Sequence, residues 1–271
     1  MTAAVPAPPY QALSFEVTGR TGVLTLCRPE RHNSLGEALK AELRRLLGQL
    51  AHERELAALV ITGEGKTFCS GGDLRELAAD DRTPEADRRR LYQSHDWVQP
   101  FMNLELPVIA AVNGPAVGAG FGMALAADFI LCARDAWFRA SFCRVGLVPD
   151  SGLFFTLPRI VGLQVAKELI YTGRRVDAQE ALDLRIAMAV HPPECLLDEA
   201  LALARRFEAA PTGAIGASKR ILNQSFHLDA RALVEMEASA QAIFFHSAGH
   251  RQALADFAAG RPFRFDWERP S

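Results

Sequence analysis

This 271-residue chain lacks paired cysteines, a dominant charge and an unbroken apolar run, and each absence excludes a class of function. The five cysteines, Cys27, Cys69, Cys132, Cys143 and Cys195, make no C-x-x-C pair and keep no regular spacing. With no secretory leader, an odd number reads as free thiols in a reducing compartment, and all five are expected to be buried and inert. A formal net charge of -2 and a pI near 6.4 offer no footprint for nucleic acid or an anionic membrane. The one basic run, Arg88-Arg89-Arg90, is expected on a solvated face. Residues 107–127 carry no charge, but Asn113-Gly114-Pro115 interrupts them and further glycines follow. A strand, a turn and a buried helix explain that stretch better than a bilayer. The expectation is a cytoplasmic protein with neither membrane nor nucleic acid as partner.

Common catalytic signatures are missing too. Of the seven histidines only His246 and His250 stand at helical spacing, and no glutamate lies between them as a zinc hydrolase would need. There is no G-x-S-x-G elbow. The run Gly118-Ala119-Gly120 mimics a dinucleotide fingerprint, but its third glycine would fall at Met123. No metal is expected.

What is present is ample core: 49% hydrophobic and 23% charged residues, a soluble globular profile. After a loose Ala/Pro-rich tail over residues 1–9, residues 13–17 and 23–26 alternate like an antiparallel pair around a glycine turn. Ser34 and Glu37 suggest a capping box opening a helix with Leu35, Leu39, Leu43, Leu46, Leu47 and Leu50 on one face. Buried strands at 59–62, 108–112, 129–132 and 186–190 alternate with helices at 118–127, 165–172 and 178–184, which predicts an α/β protein. From residue 196 four helices are expected, with Asp229 and Ser247 as N-caps and Gly260 as a stop. Their apolar excess predicts packing on another subunit. Residues 1–195 are read as the core domain and 196–271 as a helical oligomerisation region.

Three features could carry chemistry. Ser70-Gly71-Gly72-Asp73 and Gly118-Ala119-Gly120 each fall between a strand and a helix, where small residues let a ligand reach backbone N–H groups. As bland alternatives they are only tight turns. Asp150 sits in Val145-Gly146-Leu147-Val148-Pro149-Asp150-Ser151-Gly152, an apolar setting in which ionisation is costly. Its bland role is an N-cap for the helix that follows.

These features come together in a resemblance. Residues 26–35, 68–74, 108–122 and 138–162 resemble, in order, the motifs of the enoyl-CoA hydratase/isomerase (crotonase) superfamily. The likeness implies a spiral of β-β-α turns, a C-terminal helical trimerisation region, trimers or hexamers, and an acyl-CoA thioester as ligand. It places the two amides that hold the thioester carbonyl on Gly72 and Ala119. Ser70 and Leu74 fall where the family's backbone meets adenine, and Arg28, Arg31 and His32 lie along the CoA chain. Coenzyme A arrives with the substrate, and no separate cofactor is implied. The two glutamates of hydratases would fall at Gly122 and Phe142, neither of which can carry a proton. Asp150 matches the acid of isomerase branches, nearest in context to ring-epoxide phenylacetyl-CoA and Δ3–Δ2 enoyl-CoA isomerases. Leu153-Phe154-Phe155 departs from close relatives, which have glycine, threonine and an aromatic there.

The reading is an acyl-CoA isomerase of fatty or aromatic acid degradation, with Asp150 as the single acid/base and Gly72 and Ala119 as donors. Phe142, Leu147 and Val148 are expected to keep water from Asp150. A hydratase or other lyase, and a non-catalytic CoA-binding homologue, are the alternatives.

Overall fold

The computed structural model describes residues 10–77, 83–94 and 96–268; the expected tail at residues 1–9 lies outside them. β1 (Leu13–Thr18) and β2 (Thr21–Leu26) pair antiparallel, as their alternation requires. In α1 (Glu37–Leu50), Leu39, Leu43, Leu46, Leu47 and Leu50 form one buried stripe. The capping box does not form. The helix starts at Glu37 with Gly36 before it, and Glu76, 39 residues further on, accepts the Glu37 amide at 3.1 Å. Ser34 instead donates to Asp73 Oδ2 at 3.4 Å.

The middle of the chain supplies β3 (Ala58–Gly63), α2 (Leu74–Leu77), α3 (Pro84–Ser94), α4 (Val98–Met102), β4 (Val108–Val112) and β5 (Ala116–Val117). α5 (Ala119–Leu125), β6 (Phe129–Ala133), β7 (Trp137–Arg139), α6 (Leu153–Val161) and α7 (Leu163–Thr172) follow. β8 (Val176–Asp177), α8 (Ala178–Asp183) and β9 (Ala189–His191) complete this part.

Two sheets result. The larger has the order β1-β2-β3-β4-β6-β9 and is parallel from β2 onward; the smaller is β5-β7-β8. Leu24, Ile61, Ala110 and Ile130 stand in register across four strands, all buried. β3 and β4 are buried along their whole length, the property of inner parallel strands covered on both faces. The chain moves between sheets as it advances: β4 to β5, back through α5 to β6, then out to β7. The passes β4-β5-α5 and β6-β7-α6 each add one strand to each sheet and a helix, as expected of a β-β-α spiral.

The C-terminal helices are α9 (Leu196–Arg205), α10 (Thr212–Gln224), α11 (Ala230–Phe245) and α12 (Ala248–Ala258). Asp229 and Ser247 cap α11 and α12, accepting the Ala232 and His250 amides at 2.9 and 3.1 Å. α9 packs against β2, β3, β4 and β6. Lys219 on α10 bonds Asp128 at 2.6 Å and the Leu106 carbonyl at 3.0 Å, pinning that helix to the start of β4. α11 buries none of its residues within the chain.

The cysteine expectation holds only in part. Cys69 and Cys132 are buried, and burial pushes both thiols up to about 12. Cys27 and Cys195 are half-buried and Cys143 is exposed.

Candidate active site

Parallel sheets present their ligand loops at the carboxyl ends of their strands. Here the loop after β3 carries Gly72, and the loop after β4 carries Ala119. Buried Asn33 ties down the first, donating through Nδ2 to the Glu64 and Thr67 carbonyls at 3.0 and 2.7 Å. Asn113 holds the second against the first, accepting the Gly63 amide at 3.1 Å and donating to the Gly65 carbonyl at 2.9 Å. The two loops then pair directly, Cys69 donating to Pro115 at 3.1 Å and Val117 to Cys69 at 2.9 Å.

Such an approach needs bare backbone. Gly71 has φ +92, and a β-carbon there would lie 2.6 Å from the Val117 carbonyl oxygen and 3.3 Å from the Ala119 nitrogen. Gly118, with φ +56, sits under the Phe142 ring. The Ala119 amide opens α5, so it has no partner within its helix. Among the described residues, neither the Gly72 nor the Ala119 amide donates a hydrogen bond.

Asp150 reaches the same place from a later segment. Gly72, Ala119, Asp150 and Ser151 line one cleft. Ser151 donates to Asp150 Oδ1 at 3.0 Å. Asp150 does not cap α6: Gly152 takes that position, without a side-chain bond.

Other charged groups share the cleft: Lys40 from α1, Asp73 and Glu76 at α2, and Arg90 from α3. Burial raises the Asp73 pKa, but the Arg75 amide, the Arg31 guanidinium at 3.2 Å and Ser34 outweigh it, so the carboxyl lies below its ordinary value. Lys40 bonds Glu37 at 3.1 Å, and Arg90 faces Asp87 at 3.6 Å.

Several expectations need correction. Leu147 and Val148 are 50% and 74% exposed, so they do not shield Asp150, which is half-buried. The apolar walls are Leu35, Leu91 and Trp97 instead; Phe142 is buried, over Gly118. Arg88 and Arg89 are solvated, but Arg90 turns into the cleft. Arg28, Arg31, His32 and Ser70 stay outside its lining. Arg28 faces Glu30 at 3.7 Å, Arg31 holds Asp73, and the His32 carbonyl accepts the Ser70 amide at 3.0 Å. Leu74 opens α2, and its side chain lies outside the described residues. Lys40, Glu76, Leu91 and Trp97 were missed, because helical spacing alone does not say which turn of a helix meets a cleft.

This geometry can do one thing well. Two fixed amides can take a carbonyl oxygen as it gains charge, while a carboxylate nearby removes a proton from the adjoining carbon.

Comparison with known proteins agrees on the chemistry's setting. The family model described as enoyl-CoA hydratase/isomerase matches residues 17–268. A 1,2-epoxyphenylacetyl-CoA isomerase of Escherichia coli is 34% identical over 89% of this chain and 93% of its own. A probable enoyl-CoA hydratase of Rhodobacter capsulatus is 34% identical over 94% and 98%. A crystal structure of an enoyl-CoA hydratase/isomerase from Cupriavidus metallidurans superposes with a TM-score of 0.91 at 35% identity, covering 96% of this chain and 97% of that one. With the spiral fold, the paired loops and this match over nearly the whole sequence, the chain belongs to the enoyl-CoA hydratase/isomerase (crotonase) family, whose members process acyl-CoA thioesters.

Proposed function

We propose that this chain is an acyl-CoA isomerase that works through a thioester enolate. Asp150 takes a proton from a carbon beside, or conjugated with, the thioester carbonyl. The enolate oxygen rests on the Gly72 and Ala119 amides, and Asp150 returns the proton at another carbon. A double bond shifts or a ring reorganises, with no net change in composition.

The observation that carries this reading is the meeting of Gly72, Ala119 and Asp150 in one cleft, in a chain that has glycine at 122 and phenylalanine at 142. The other carboxylates there have structural duties: Asp73 holds Arg31, and Glu76 accepts the amide that opens α1. Coenzyme A is carried in by the substrate, along the segment with Arg28, Arg31, His32, Ser70 and the Leu74 backbone. Further copies of the chain, in a trimer or hexamer, cover the open face of α11.

A second reading has Asp150 activating water in a hydratase or related lyase. Its half-buried position favours that chemistry. The two readings separate on a panel of 2-enoyl, 3-enoyl and arylacetyl thioesters in deuterium oxide. Isomerisation with deuterium wash-in and no 3-hydroxy product supports the first; steady hydration of crotonyl-CoA supports the second. Asp150→Asn should lower turnover at least about 10³-fold while acyl-CoA binding changes little, the mark of a group acting in the transition state. Near-normal turnover in that variant would remove Asp150 from the mechanism.

A further inference from the structure

We infer that Ser151 is the positioning residue for Asp150: its hydroxyl, swung inward by a left-handed turn, orients the carboxylate. This rests on the role given to Asp150 above.

The geometry is specific. The Ser151 hydroxyl donates to Asp150 Oδ1 at 3.0 Å, and the residue lines the cleft while only 4% exposed. Its φ is +53, a region that costs any residue with a β-carbon, and Gly152 continues the turn at +79. If the chain needed only this turn, glycine would make it without strain. A serine just before a helix ordinarily spends its hydroxyl on an N-cap. Here α6 is capped by Gly152 with no side-chain bond, and the hydroxyl turns back onto the preceding residue. The strained backbone is therefore offset by what the side chain does at Asp150.

A hydroxyl suits a lone acid/base for a physical reason. It donates to the carboxylate before proton transfer and can accept from the carboxylic acid afterwards, so one contact serves both states. The charged groups facing Asp150 across the cleft are Lys40 from α1, Asp73 and Glu76 at α2, and Arg90 from α3. They remain in place when Ser151 alone is changed.

The test compares Ser151→Ala, which keeps the strain and loses the hydroxyl, with Ser151→Gly, which loses both. Turnover of 3-hexenoyl-CoA and deuterium wash-in are followed across pH, with Asp150→Asn alongside. Both serine variants should lose about tenfold or more in kcat with KM nearly constant, as expected for a lost charge-assisted hydrogen bond. Ser151→Gly should melt no lower than wild type, which separates catalysis from folding even if Ser151→Ala folds poorly. Wild-type kcat in either variant, beside an inactive Asp150→Asn, overturns this inference alone. An active Asp150→Asn overturns the function reading and this inference with it.

Discussion

The carbonyl oxygen of Ser151 stands 2.7 Å from where a β-carbon on Gly122 would be, so residue 122 has no room for any side chain. By the resemblance, a hydratase's first glutamate would fall at this position. Here the turn that carries Asp150 fills the space that glutamate would use.

Gly122→Ala should therefore destabilise the protein by about 1–3 kcal/mol, the range for forcing a methyl group into packed backbone. Chemical denaturation measures it, and activity should fall further because Ser151 must shift. Gly122→Glu should not confer hydration of crotonyl-CoA. A folded Gly122→Glu protein that hydrates crotonyl-CoA would show that Ser151 does not own that space.

Gly71→Ala tests the amide pair without touching an acid. The new β-carbon would press on the Val117 carbonyl and stand 3.3 Å from the Ala119 nitrogen. Parting the two loops should cost on the order of 10²-fold in kcat, as for loss of one donor to an oxyanion. Steady-state kinetics beside acyl-CoA calorimetry would show whether turnover suffers more than binding; an equal loss in both would argue against the donor role.

Asp73 predicts a pH dependence of stability. Its folded pKa lies below its unfolded value, so its contribution is complete above the ordinary carboxylate range and disappears as pH falls through the folded value. Asp73→Asn should be less stable than wild type at pH 7, with the gap closing below about pH 4, near the unperturbed aspartate value. Thermal melts of both proteins across pH check this. A gap that stays constant on acidification would mean the ion pair with Arg31 contributes nothing.

Lys219→Met should destabilise by about 2–4 kcal/mol, because it leaves Asp128 partly buried beside the Val108 amide without its cation. Burial raises the Asp128 pKa and Lys219 works against that. The double variant with Asp128→Asn should recover part of the loss, and a double-variant cycle by denaturant titration would measure it.

Much of the architecture was legible in residue pattern. The hairpin, the leucine face of α1, the buried strands and the caps at Asp229 and Ser247 depend on local periodicity and local hydrogen bonds, which neighbouring residues specify. Glycine turns between strand and helix marked the two loops, and the resemblance singled out Gly72 and Ala119 within them. The errors share a cause. Ser34 failed as a cap because Asp73, 39 residues away, competes for its hydroxyl. Leu147 and Val148 are apolar neighbours of Asp150 in sequence, yet they face outward. Cys143 is likewise exposed beside buried Phe142.

By itself, then, the amino-acid order determined the family, the alternation of strands and helices, and the residue types able to hold an oxyanion and move a proton. Only the tertiary structure decided that Gly72, Ala119 and Asp150 share a cleft, that Leu35, Leu91 and Trp97 wall it, and that Ser151 fills the space beside Gly122. Periodicity is written between neighbours a few residues apart, whereas a site depends on which distant loops can touch, and that is settled by backbone clearance and the register of β3 against β4.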